Sequence, residues 1–224
     1  MRRIVKGAAP ECLTEWIRLQ SPAGVNLTYE NFRDKPALLR VLIAEQYALC
    51  GYTGFRVEPT NSHIEHVKPQ TVCGEEMEAA GGIVGRDLCD DLSYDNMIAA
   101  LTVNGRKPFG ATAKGGWWNP AQFVSPLDAD CETRFAFDLL GDINPRDPTD
   151  GAAAKTIDVL KLKHQTLIDA RRGTLEGFLP EDLLTREYLE DVVTRMDVPV
   201  NDDLPEFSFV IKSVAQDLLR AIPV

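Results

Sequence analysis

The sequence predicts an α+β protein: a small two-stranded centre set among helices, with a helical C-terminal part. Three observations lead there. A short β-prone segment, His63-Ile64-Glu65-His66-Val67, is closed by Lys68-Pro69. Arg134-Phe135-Ala136-Phe137-Asp138-Leu139 alternates as a strand does, and Gly141-Asp142-Ile143 follows it as in a hairpin. From Thr149 onward the apolar spacing becomes helical.

In chain order, residues 10–20 read as a short helix with Pro10 near its first turn and Leu13, Trp16 and Ile17 on one face. Asp34-Lys35-Pro36 is a helix start, and the helix is expected to reach about Leu49. Cys50-Gly51-Tyr52-Thr53-Gly54-Phe55-Arg56-Val57 reads as a hairpin or sharp turn leading into a strand. Residues 68–92, with their glycine pairs and acidic residues, read as a long loop. Tyr94-Asp95-Asn96-Met97-Ile98-Ala99-Ala100 reads as the start of a short helix, and 102–120 as loop again. Thr149 or Asp150 is positioned to cap a helix to about Leu162, with further helices at about 164–172, 180–197 and 207–221. The division expected is residues 1–173, then an acidic helical region over 174–224.

Composition is that of an ordinary globular chain, 44% hydrophobic and 26% charged. No apolar run approaches a membrane span and no signal core follows Met1-Arg2-Arg3, so a cytoplasmic protein with no membrane contact is expected. The five cysteines (Cys12, Cys50, Cys73, Cys89, Cys131) show no Cys-x-x-Cys spacing. Free thiols are expected, with no structural zinc and no disulfide framework. The net charge of −10 opposes strong unaided binding to phosphate backbones. From Thr174 on, four basic residues stand against eleven acidic ones, so the tail carries most of that charge. A local basic patch or a partner would have to attract a nucleic acid, and the partner is the expected source.

His63-x-Glu65-His66 is the densest group of ligand-capable side chains and holds two of the three histidines. Alternation along a strand puts His63 and Glu65 on one face and His66 on the other, although twist at the strand end would let Glu65 and His66 flank one pocket. A carboxylate suits a hard divalent cation and an imidazole takes a proton near neutral pH. Phosphodiester hydrolysis uses both. Alone, the tetrad is equally an ordinary polar stretch on a half-buried strand. Elsewhere, His164 reads as structural, Trp117-Trp118 as sealing a core rather than stacking bases, and Arg2, Arg3, Lys6 and Arg171-Arg172 as surface cations.

Residues further on change the weighting. Tyr94-Asp95-Asn96-Met97 lies about thirty positions downstream, and Lys114-Gly115 lies beyond it. This order resembles the HNH (ββα-metal) endonuclease motif. The opening Met1-Arg2-Arg3-Ile4-Val5-Lys6-Gly7, the Cys50-Gly51-Tyr52-Thr53-Gly54 turn and Ser62-His63-Ile64-Glu65-His66-Val67-Lys68-Pro69-Gln70 extend the likeness. So do Lys114-Gly115-Gly116-Trp117-Trp118, Phe123-Val124-Ser125-Pro126-Leu127 and Cys131-Glu132-Thr133-Arg134-Phe135. Together they resemble the HNH nuclease (PtuB) subunits of Septu anti-phage systems, also found beside some retrons, over roughly residues 1–172.

The resemblance implies that residues 1–173 form an HNH nuclease domain around a ββα-metal centre. It implies Glu65 as metal ligand for a single Mg²⁺ or Mn²⁺, His66 as general base and Asn96 as the orienting residue, with His63 a further candidate. It also implies a PtuA-like ATPase partner and a nucleic-acid substrate, DNA first and RNA as the alternative. Two departures stand out. The zinc-binding cysteine pairs of many relatives are absent, so packing through Tyr52, Phe55, Trp117 and Trp118 would hold the centre. The position that usually supplies a further metal ligand is also unmatched, which leaves His63, Asn104, Asp95 or waters to complete the shell. The alternative function is a catalytically degenerate HNH-fold adaptor that binds the partner ATPase.

Overall fold

The computed structural model describes residues 1–20, 27–79 and 90–222. Helix α1 (Glu11–Gln20) buries Leu13, and its Trp16 ring meets Phe32 edge-on at 5.4 Å. Helix α2 (Lys35–Glu45) carries Pro36 in its first turn and buries Leu38 and Leu42. It stops at Glu45, short of the expected Leu49, because Tyr47 and Ala48 turn left-handed at φ 51° and 56°. The segment after it is a sharp turn, with a single bridge pairing Leu49 and Arg56. Gly54 has φ +88°, and a Cβ there would lie 2.8 Å from Phe209 and 2.9 Å from Phe207. Only glycine satisfies both the turn and that close approach.

Strand β1 (Ser62–His66) pairs antiparallel with β2 (Met97–Leu101), setting His66 opposite Met97 and Glu65 opposite Ile98. The helix expected to start at Tyr94 is therefore a single 3₁₀ turn, Tyr94–Asn96, followed by a strand. Methionine and alanine favour helix locally, but Met97 to Ala100 are fully buried and both edges of β2 find partners. β1 supplies one edge. Gln46 supplies the other, donating to the Ala99 carbonyl (2.8 Å) and accepting from the Ala99 amide (2.6 Å), as a neighbouring strand would.

Between the strands, part of the expected loop is helix α3 (Gln70–Ala79). The Pro69 carbonyl opens it by accepting from the amides of Val72 and Cys73, and the helix-start value of Pro69 was the unread signal. Cys89 lies outside the described residues. Cys12, Cys50 and Cys131 are free thiols, the last two buried, and Cys73 is also buried.

After β2 comes the single-turn helix α4 (Ala111–Lys114), then the hairpin of β3 (Phe135–Phe137) and β4 (Ile143–Pro145). Helix α5 (Gly151–Val159) is capped by Asp150, which accepts from Ala153 N at 2.9 Å and holds the Arg134 guanidinium at 2.6 and 2.8 Å. His164 caps α6 (Gln165–Phe178) and Thr185 caps α7 (Arg186–Arg195). The helix expected over 180–197 thus begins late, after a 3₁₀ turn at Glu181–Leu183. Helix α8 (Ser208–Ala221) packs on α7, α6 and β3.

The acidic stretch from Thr174 begins inside α6, and its last helix shares the core of the preceding chain. Phe207 meets Phe55 at 5.0 Å and Phe209 meets Phe137 at 5.8 Å. Phe123 gathers the rings of Tyr52, Trp117 and Trp118 within 6.1 Å, while Phe55 packs apart from them on Phe109 and Phe207. Among the described residues, no helix is long and apolar enough to cross a membrane.

Candidate functional site

β1 obeys strand alternation up to its last residue. His63 and Glu65 share a face, with His63 Nε2 3.7 Å from Glu65 Oε2 and His63 Nδ1 2.9 Å from the Thr102 hydroxyl. His66 engages different partners. Its Nε2 lies 2.9 Å from the Asp91 carbonyl, and its ring stands edge-on to Tyr29 at 4.5 Å. The two side chains thus engage different partners at the strand end, and the Glu65 charge still acts on the His66 ring.

A carbonyl only accepts, so His66 Nε2 carries the proton and, in the neutral ring, Nδ1 keeps the lone pair. Burial lowers the pKa of His66. The Asp91 carbonyl bond and the nearby Glu65 and Asp91 charges oppose that shift, and Lys114 adds to it. The imidazole is thus neutral at pH 7, with one nitrogen anchored and the other basic.

Glu65 holds a partner that the sequence reading left without a role. Lys114 Nζ donates to Glu65 Oε1 at 2.9 Å and to the His66 carbonyl at 3.4 Å, with only 1% of its side chain exposed. The residue is delivered by α4, whose ends are glycines that no other residue replaces freely. Gly110 adopts φ 65°, ψ −141° and Gly115 φ 51°, ψ −133°. A Lys-Gly pair is a weak sequence signal, and 49 residues separate the ion-pair partners. Only the fold brings them together.

Asn96 is buried and faces backbone. Its Oδ1 accepts from the Lys68 amide at 2.7 Å and its Nδ2 donates to the Lys68 carbonyl at 3.0 Å, while its own carbonyl accepts from Val67 N at 2.9 Å. The side chain clamps the chain leaving β1.

No family model matches this chain, and no curated protein matches it.

The donors suit a divalent ion in part. Ligands at about 2.1 Å from one ion lie roughly 3.0–3.5 Å apart, so a carboxylate and an imidazole separated by 3.7 Å need little adjustment. Among the described residues no group of three or more His, Cys, Asp or Glu gathers for a metal, so waters would fill the remaining positions. Asp95 lies near Lys6, and Asn104 lines a separate surface cleft with Thr102.

A cavity of about 310 Å³ adjoins His63, with Tyr29 and Pro36 in its wall and the cations Lys35 and Arg40 on it. Arg40 has no ion-pair partner among the described residues. Three other cations are spent internally. Arg2 pairs with Glu132 and Lys6 with Glu45, while the buried Arg171 donates to the carbonyls of Gly141 and Leu162. Burial pushes the Arg171 pKa down to about 10. His164 is structural, accepting from Thr166 N as the cap of α6.

Proposed function

We propose that this chain is a metal-dependent endonuclease of the HNH kind, hydrolysing nucleic-acid phosphodiester bonds, DNA first, as the effector of an anti-phage complex with a PtuA-like ATPase. One observation carries the reading: at the end of β1 a neutral histidine is anchored through Nε2 on a backbone carbonyl, beside a carboxylate–imidazole donor pair. The order of elements, β1, then β2, then α4, is compatible with a ββα centre.

In this reading Glu65 and His63 would hold Mg²⁺ or Mn²⁺, which supplies the positive centre for charge developing on phosphate. A phosphodiester laid across the strand end would have Glu65 on one side and His66 on the other. His66 takes a proton from the attacking water at Nδ1, and its Nε2–H on the Asp91 carbonyl steadies the ring as it becomes charged. Asn96 fixes the course of residues 67–68 and with it the direction of His66. Lys35 and Arg40 supply local positive charge for the strand on a chain that is acidic overall.

The adaptor alternative also has an observation in its favour: the Lys114 ammonium already neutralises Glu65. Manganese titration followed by electron paramagnetic resonance separates the two. The nuclease reading expects saturable binding of one Mn²⁺, lost in Glu65→Gln and weakened in His63→Ala. Absence of binding by the wild type, with no cleavage, would leave the adaptor.

A further inference from the structure

A second cavity, far from β1 in chemistry, has no part in that reading. It measures about 600 Å³ and lies between α5, the turn into α6 and the stretch before α4. Its floor is apolar, built by Pro108, Ala154 and Ile157, and the His164 ring forms part of its wall. Lys107, Lys161 and Lys163 also line it, against the single carboxylate Asp158. This is a local excess of positive charge on a chain whose net charge is −10.

The lysines are available to a ligand. Lys107 forms no ion pair among the described residues. Lys161 pairs with Asp158 at 3.0 Å in an exposed pair of the kind that contributes little, while Lys163 holds the partly buried Asp142 at 3.0 Å and Asn144 Oδ1 at 2.8 Å and would share its ammonium with a ligand. Lys161 also sits at φ 51°, a left-handed conformation disfavoured for a side chain with a Cβ. The flanking bonds from Leu162 N to the Ile157 carbonyl and from His164 N to the Lys161 carbonyl, both 2.9 Å, hold it there. This is the left-handed cap that ends α5, and it fixes where the Lys161 side chain leaves the helix.

An apolar floor, a planar ring and ammonium groups match one ligand class. We propose that this cavity binds a nucleotide unit, the base lying on the floor against His164 and the phosphates meeting Lys107, Lys161 and Lys163. Its volume is in the range of small-molecule sites, and lysine serves phosphate as a mobile point charge. The same unit occurs free or at the phosphorylated end of a strand.

The test is calorimetric titration of the full chain in EDTA, so that no metal at β1 contributes. The probes are ATP, GTP, adenosine, inorganic triphosphate and a 5′-phosphorylated oligonucleotide. Saturable 1:1 binding of a nucleoside triphosphate or of the oligonucleotide is expected, and whichever binds more tightly identifies the source. Lys161→Ala/Lys163→Ala should weaken it by about tenfold or more. Ala154→Glu, on an exposed position of α5, should abolish it with the circular dichroism spectrum unchanged. Absence of saturable binding by every nucleotide probe, or binding indifferent to both variants, would overturn the proposal. Inorganic triphosphate or adenosine binding as tightly as ATP would do the same, by removing the role of the floor or of the lysines. None of these readouts uses cleavage, so the outcome is separate from that of the nuclease reading.

Discussion

Lys114, at the end of a single-turn helix, reaches 2.9 Å to Glu65 on the central strand, and both side chains are largely buried. Removing one partner strands the other. Glu65→Ala is expected to cost about 3 kcal/mol of stability, because the ammonium is left without a counter-charge. The double variant Glu65→Leu/Lys114→Met should recover most of that loss. Urea unfolding measures both, and equal losses in the single and double variants would contradict the pairing.

The approach of Lys114 depends on the glycine behind it. Gly115→Ala meets no neighbouring atom within 4 Å, so its effect is backbone strain at φ 51°, about 1–3 kcal/mol. Gly116→Ala, whose added Cβ would come no nearer than 3.7 Å to Thr71 and which is not left-handed, should be close to neutral. Thermal unfolding of the two variants side by side checks the difference.

Asn96→Ala removes both bonds to the Lys68 backbone and leaves those groups to find water. The expected destabilisation is about 2 kcal/mol. Metal-dependent cleavage should fall further than the lost stability explains, since His66 lies two residues from the clamp. Activity measured well below the melting temperature separates the two effects.

His66 gives a pH dependence of known sign. Its folded pKa lies below the unfolded value of about 6.5, so the unfolded chain binds more protons in the interval between the two. Its contribution to stability is complete above the unfolded pKa and is lost as pH falls through that interval toward the lowered folded pKa. Melting temperatures of wild type and His66→Asn from pH 7.5 to 5 should converge toward acid. Parallel curves would show that the ring is not held neutral.

Several of these relationships were open to sequence reading and others were not. The α+β character, the 135–145 hairpin and the Asp150 cap follow from short-range pattern, where neighbours in sequence are neighbours in space. Alternation on β1 correctly joined His63 to Glu65. The run after Asn96 suggests a helix because methionine and alanine favour one in isolation, yet it is strand β2. What makes it a strand is Gln46, fifty-three residues before Ala99, supplying its second edge. The Lys114 charge finds its partner only through the fold. No local pattern announces a partner 49 residues away.

The most direct test is cleavage of DNA and RNA by wild type, Glu65→Gln and His66→Ala in Mg²⁺, Mn²⁺ or EDTA, with and without a partner ATPase. The account predicts metal-dependent cleavage by the wild type, loss in Glu65→Gln, and a fall of about a hundredfold or more in His66→Ala with the fold intact. An unaltered rate in His66→Ala, or no cleavage by the wild type with any metal, substrate or partner, would contradict it.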